Sequence, residues 1–347
     1  MVTQTDKKTW QNVTQGQPTA KALEYKTKLE QELAKTSLKP SRRAEIEEDL
    51  SKIAFGQFLQ YNDVTHFVMD EGPKNGEAVV FVHGWDCSSF WWHAVIPELN
   101  QAGYRTINYD LRGHGFSSDA PESREEYSIE HMVEDLETLR EHLGIQKFHL
   151  ANFSLGAVVA TAYAARYPQH VASLACFNFG LFKYNPAVEK VMPKVLSTIF
   201  SKALRGVGTG GWRLVYGYVR LSLTKNPVSK RDILYGLLSL RDCSARASYH
   251  SARSIMSRAV LEALPKWAES ITAPTLLVAG SHDRVIGLKN AANLAKVFPN
   301  VHYFVMPKCG HLVLGELPEQ VVTIMRLHLS NAKINQPALK NNEHKYN

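Results

Sequence analysis

Four cysteines in 347 residues, Cys87, Cys176, Cys243 and Cys309, are too few and too widely spaced for a disulfide framework or a zinc-ligand pattern. Reduced thiols of a cytosolic protein are the expectation. Long apolar runs are also missing. None approaches the roughly 20 residues that span a bilayer, and the polar stretch over residues 1–18 has no apolar core of a secretory signal. A cytoplasmic protein is expected on these grounds. Acidic residues are scarce in one region only. Between Lys183 and Arg258 the acids are Glu189, Asp232 and Asp242, against Lys190, Lys194, Lys202, Arg205, Arg213, Arg220, Lys225, Lys230, Arg231, Arg241, Arg246 and Arg253 among others. The net charge of +7 is therefore concentrated locally, and its distribution says more about partners than its total.

What is present divides the chain. Residues 1–58 read as a helical extension. One weak stripe runs through Ala22, Tyr25, Leu29 and Leu33, and a second helix after Pro40, with Ser41 as its N-cap, places Ile46, Leu50, Ile53 and Ala54 on one face. From about Tyr61 the pattern changes to short apolar runs rich in β-branched residues at 65–69, 78–82, 106–109, 148–152, 173–177, 275–279 and 302–306, with helical stretches between them. Near-continuous apolar strands alternating with helices predict an α/β fold, a mostly parallel central sheet covered by helices on both faces. The interval 183–265 has helical character at 188–204, 211–223, 230–240 and 244–264. An insertion of that length between strands predicts a helical cap rather than a structureless loop. The core is thus assigned to 59–182 and 266–330, the basic cap to 183–265 after the sixth strand, and a disordered tail to 331–347.

The chemistry is concentrated in FHLANFSLGAVVATAYAARYP, residues 148–168. An apolar strand runs into Ser154, and an alanine-rich helix runs out of it. A serine on a tight strand-to-helix turn is pushed clear of both elements, with the first amides of the helix pointing at charge that develops there. A serine hydroxyl needs a base, and that base needs an acid to hold its tautomer. Both follow in the chain. Asp283 lies just past the strand at 275–279 and His311 just past the strand at 302–306, at the strand ends where open α/β sheets gather catalytic groups.

Residues 61–329 on this account resemble the α/β-hydrolase superfamily, of the carboxylesterase and lipase type. The usual elbow of that superfamily is GxSxG; here it is Asn152, Phe153, Ser154, Leu155, Gly156, with asparagine in place of the first glycine. The resemblance implies Ser154 as nucleophile, His311 as base and Asp283 as the orienting acid. It also implies an oxyanion hole from the Leu155 and Trp85 amides, with His83 and Gly84 supporting the oxyanion loop. The run from Asp110 to Ser117, including His114, matches a segment that orders a loop near the site, so His114 is read as structural. Phe90, Trp91 and Trp92 read first as a buried helix face, and Cys309 as packing.

The function expected from this pattern is hydrolysis of a carboxylic ester with a hydrophobic acyl group, through an acyl-enzyme. Thioesterase, acyltransferase, carbon–carbon hydrolase and haloperoxidase chemistry share the same serine triad. Epoxide hydrolases and haloalkane dehalogenases fit less well, because their elbow nucleophile is an aspartate. A binding protein on the same scaffold would have lost a member of the triad, and none is lost. No metal or organic cofactor is called for, and no nucleic acid partner. The oligomeric state is left open. The basic cap interleaves its arginines and lysines with Leu, Val, Trp and Tyr, which suits peripheral contact with an anionic membrane or an acidic carrier.

Overall fold

A computed structural model describes residues 13–332, apart from 122–123, 202–205 and 207–208. The expected tail at 331–347 falls almost wholly outside the described residues. Nine strands form one sheet: β1 (Thr14–Gln15), β2 (Gln57–Tyr61), β3 (Val64–Glu71), β4 (Ala78–Val82), β5 (Arg105–Tyr109), β6 (Phe148–Phe153), β7 (Val171–Phe177), β8 (Thr275–Gly280) and β9 (Val301–Met306). Their order is β1-β2-β3-β5-β4-β6-β7-β8-β9. The first three neighbour pairs are antiparallel and the rest parallel. Strands β4, β6 and β8 are buried along their whole length, because helices cover both faces of a parallel sheet and leave no polar side. On one face pack α4 (Ile129–His142), α5 (Leu155–Arg166) and α10 (Arg258–Ser270), and on the other α3 (Ile96–Gln101) and α11 (Pro318–Asn331).

The sequence expectation needs several corrections. It missed β1, which is two polar residues long, and β2, whose pattern merges with the helix before it. Counted in this sheet, the cap follows the seventh strand, β7, where the sequence expectation placed it after the sixth. Helix α2 (Pro40–Phe55) is N-capped by Lys39 rather than Ser41, because proline, with its fixed φ and no N–H, belongs at the first helical position. Ala54 is exposed, and Asp49 joins Ile46 and Ile53 on the buried face instead. The helix expected at 188–204 ends as an α-helix at Lys194, α6 (Pro186–Lys194), and continues as a π-helical stretch over Val195–Ser201. Pro193 lies inside α6, and its missing N–H interrupts the regular bonding there. The helix expected at 244–264 is two helices, α9 (Ala245–Met256) and α10, divided where Ser257 N-caps the second. Cap and core thus meet inside α10.

The rest of the cap is α7 (Trp212–Ser222) and α8 (Lys230–Asp242), the latter opened by a capping box of Ser229 and Asp232. The N-terminal hairpin, α1 (Ala20–Leu33) and α2, packs on the core and on α8. Ala22, Leu29, Ile46 and Ile53 share a cluster with Phe67 of β3, Phe116, and Tyr235 and Leu238 of α8. At its centre is Asp49. Its carboxylate accepts from the hydroxyls of Tyr25 (2.9 Å) and Tyr235 (2.5 Å) and from the Arg231 guanidinium (3.0 Å), which also bonds Glu48 at 2.8 Å. A buried carboxylate with three charge-assisted partners costs most when one side is removed, because the partners stay buried and unpaired. Asp49→Ala should therefore lower the unfolding free energy by about 3 kcal/mol in urea titration; a change under about 1 kcal/mol would show that the network contributes little.

Candidate active site

Ser154 sits between the last residue of β6 and the first of α5, with φ 52° and ψ −116°. A non-glycine residue there is strained, at a cost of about 1–3 kcal/mol. Two bonds hold the turn: the Ser154 N–H donates to Phe177 O (3.0 Å), and Ser154 O accepts from the Ala157 N–H (2.9 Å). The helix leaves so close to β4 that a Cβ on Gly156 would lie 2.4 Å from Val82 O and 2.5 Å from His83 O; glycine is required. Asn152, in the place of the other elbow glycine, lies fully buried between Val82 of β4 and Cys176 of β7. Its amide meets no full hydrogen-bond partner. The Cys176 thiol beside it is a weak one, and burial pushes that thiol up to about 12 although the Asn152 amide draws it down.

His311 follows β9 in a tight loop. Its backbone N–H donates to Leu223 O at the end of α7 (2.6 Å), and the Gly310 N–H before it donates to the buried Glu316 carboxylate (2.9 Å). The ring packs at 5.2 Å from the Phe153 ring and places Nδ1 2.9 Å from Asp283 Oδ2. Asp283 is saturated. Oδ1 accepts from the Val285 and Ile286 N–H groups (2.8 and 3.0 Å), and Oδ2 also accepts from Asn178 Nδ2 at 2.9 Å. Burial raises the carboxyl, but the hydrogen bond and charge of His311 with the two amides outweigh it, and its pKa lies below the ordinary value. An ionised Asp283 can only accept, so Nδ1 carries a proton, and in the neutral imidazole Nε2 is the acceptor.

Asn178 is the residue the sequence did not reveal. It stands at φ 50° just past β7 and donates from one amide nitrogen to both Asp283 Oδ2 and Gly310 O (2.8 Å). It thereby joins the acid loop to the histidine loop. Glu316 was also missed: besides Gly310 it accepts from the N–H groups of Lys225 and Asn226 (2.7 and 2.8 Å), tying the histidine loop to the cap.

The loop after β4 is fixed through His83. Its Nδ1 donates to Gly84 O (2.8 Å), and its Nε2 accepts from the Leu111 N–H (3.0 Å), which requires a neutral ring. Gly84 leaves no room for a side chain, since a Cβ would meet the Phe153 ring at 2.9 Å. Trp85 donates from its indole to Ser248 O of α9 (2.8 Å). Leu155, as the first residue of α5, has an N–H that no carbonyl of its helix can accept. His114 is buried, with Nδ1 on Arg112 O at 3.0 Å, and Asp110 accepts from the Ser89 and Phe116 N–H groups, which ties the segment to the loop after β4. Phe90, Trp91 and Trp92 are all buried, on a short 3-10 turn, and Cys309 is buried in the core.

Ser154, Leu155, Trp85 and His311 line one cavity of about 680 Å³ beneath the cap. Trp91, Phe153, Val158, Phe179, Leu237 and Leu264 make its walls largely apolar. A second groove of about 470 Å³, between the N-terminal hairpin and α8, contains none of these groups. Asp86, His114 and Cys243, buried with donor atoms within 4.8 Å of one another, are the one group among the described residues with the makeup of a metal site. Asp86 there accepts from Ser248 Oγ at 3.1 Å.

A sequence profile described as the alpha/beta hydrolase fold matches residues 77–318, and the chain belongs to that family. It is similar to a Bacillus subtilis (strain 168) protein provisionally named 2-succinyl-6-hydroxy-2,4-cyclohexadiene-1-carboxylate synthase, with 28% identity over 259 residues, 74% of this chain and 91% of that protein. Among solved structures, a thermophilic esterase from Thermogutta terrifontis superposes with a TM-score of 0.64 at 23% identity, covering 78% of this chain and 95% of that one. Epoxide hydrolase A from Mycobacterium thermoresistibile gives 0.66 at 21% identity, covering 79% and 98%. These structures share the fold. No helix among the described residues is long and apolar enough to cross a membrane.

Burial pushes the imidazoles of His83, His114, His149 and His328 down to about 4. A base with a lower pKa folded than unfolded binds fewer protons in the native state between the two values, so stability falls as pH drops from about 6.5 towards 4. Urea melts across that window should show a loss approaching roughly 1.4 kcal/mol per pH unit for each of the four rings. A flat profile would mean that these rings titrate normally.

Proposed function

We propose that this protein is a serine hydrolase that cleaves carboxylic esters of apolar acyl substrates. The observation that carries the reading is one arrangement: Ser154 on its strained turn and His311, paired with Asp283 at 2.9 Å, face a single apolar cavity. In this reading the Ser154 Oγ attacks the acyl carbonyl carbon while its proton passes to His311 Nε2. The resulting oxyanion is held by the Trp85 and Leu155 N–H groups. Collapse of the tetrahedral species expels the alkoxide, which takes the proton back from His311, and leaves an acyl group on Ser154. Water repeats the sequence and releases the acid. Asp283 keeps its charge throughout and stabilises the imidazolium. Asn178 and the Val285 and Ile286 amides hold that carboxylate in place.

Residue chemistry at the elbow favours this over the epoxide hydrolase chemistry of one structural neighbour. That chemistry uses an elbow aspartate to form an alkyl ester, whereas position 154 is serine. The walls select an apolar acyl group, since a long polar one would lose its hydration without finding donors and acceptors there.

Ser154→Ala should reduce turnover of nitrophenyl esters by at least about three orders of magnitude and abolish labelling by a fluorophosphonate probe. Folding should be intact by circular dichroism. In the unaltered protein, kcat/KM should rise with acyl length from acetyl to medium chains. Retained turnover in the variant would remove Ser154 from the mechanism, and a fall with chain length would remove the apolar acyl preference.

A further inference from the structure

The mouth of the cavity carries an unusual surface. Phe182, Val188, Tyr218 and Val285 both line the cavity and stand exposed at its edge. They come from four elements: the segment leading into α6, α6 itself, α7, and the loop after β8. Helix α7 is apolar on two sides. Val215 and Val219 face inward onto the cavity, Tyr218 stands at its edge, and Leu214 and Leu221, spaced i, i+7, face outward. Leu214 is 75% and Leu221 77% exposed. The loop after β8 is fastened to this helix by Arg284, which donates to Leu221 O at 2.8 Å. An exposed apolar patch of this kind is kept in water only at a cost and marks a surface that is covered in use.

Charge identifies what covers it. Residues 182–194, 212–225 and 284–289 contain Lys183, Lys190, Lys194, Arg213, Arg220, Lys225, Arg284 and Lys289 against one acid, Glu189, which accepts from the Tyr184 hydroxyl. A second copy of the same face would bring two basic rims together and be repelled. A lipid surface with anionic headgroups satisfies both features at once, taking the apolar side chains into the acyl boundary while the basic ones stay at the headgroups.

We propose that the rim formed by α6, α7 and the loop after β8 docks on an anionic lipid surface, so that an apolar substrate passes from the bilayer into the cavity without crossing water. The docking face stands on its own observations; the passage of substrate rests on the hydrolase reading above.

The test separates the two. Full-length protein is sedimented with vesicles of phosphatidylcholine alone and of phosphatidylcholine mixed with phosphatidylglycerol. Partition onto the anionic vesicles should be at least roughly tenfold stronger and should weaken with added salt. A Leu214→Glu, Leu221→Glu double variant should lose at least roughly tenfold in that partition. Both positions lie outside the cavity lining, so hydrolysis of a short water-soluble ester should be unchanged, which also reports that the variant is folded. Ser154→Ala should bind vesicles like the unaltered protein. Absence of vesicle binding, equal binding to neutral and anionic vesicles, or full binding by the double variant would overturn the docking face, as would retention by an acidic protein without any by vesicles. Vesicle binding without turnover of any ester would leave the docking face standing and overturn the hydrolase reading.

Discussion

A strand and a helix that cross too closely for any side chain at Gly156 set the position of everything around Ser154. The 2.4 Å that a Cβ would leave to Val82 O means that β4, β6 and α5 are locked at one separation, and the turn between β6 and α5 has to be sharp. The sharpness appears as the positive φ of Ser154. Strain of this sort persists only when the surrounding structure over-determines it. Here the sheet on both sides of β6, the Phe177 carbonyl and the start of α5 supply that constraint.

From that fixed point the other groups are placed by hydrogen bonds between loops rather than by packing alone. Asn178 joins the Asp283 loop to the His311 loop, and His83 joins the loop after β4 to Leu111. The cap is tied down in the same manner. Leu223 O receives the His311 N–H, Glu316 holds Lys225 and Asn226, Ser248 O receives the Trp85 indole, and Asp49 of the N-terminal hairpin holds Arg231 and Tyr235 of α8. Two of these ties end on His311 and Trp85, which line the cavity, and the Asp49 tie ends on α8, which walls it. Cap position and cavity shape are one variable, and the N-terminal hairpin contributes to it through a buried carboxylate.

Much of this was legible in the residues. The apolar runs that became β4, β6, β7 and β8 are unambiguous because strands buried on both faces have no polar positions to confuse with another period. Ser154 and Asp283 were legible because each follows such a run, and His311 because it follows the next run in order, β9, although that strand is largely exposed. The N-terminal region was less clear. A two-residue polar strand has no periodicity to read, and Asp49 on a buried helix face contradicts the pattern that assigned Ala54 to it. Buried charge is recognisable only by its partners, and Tyr25, Tyr235 and Arg231 are 24, 186 and 182 residues away.

The sequence by itself determined the class of fold, the order of the three side chains and the presence of a basic helical cap, because these depend on local pattern and on chain order. Tertiary structure alone decided that Asn178 holds the acid, that Glu316 and Asp49 tie the cap, and that the exposed apolar residues of α6 and α7 meet at the cavity mouth. Those relations join residues distant in sequence, through hydrogen bonds and shared surfaces that no periodicity encodes.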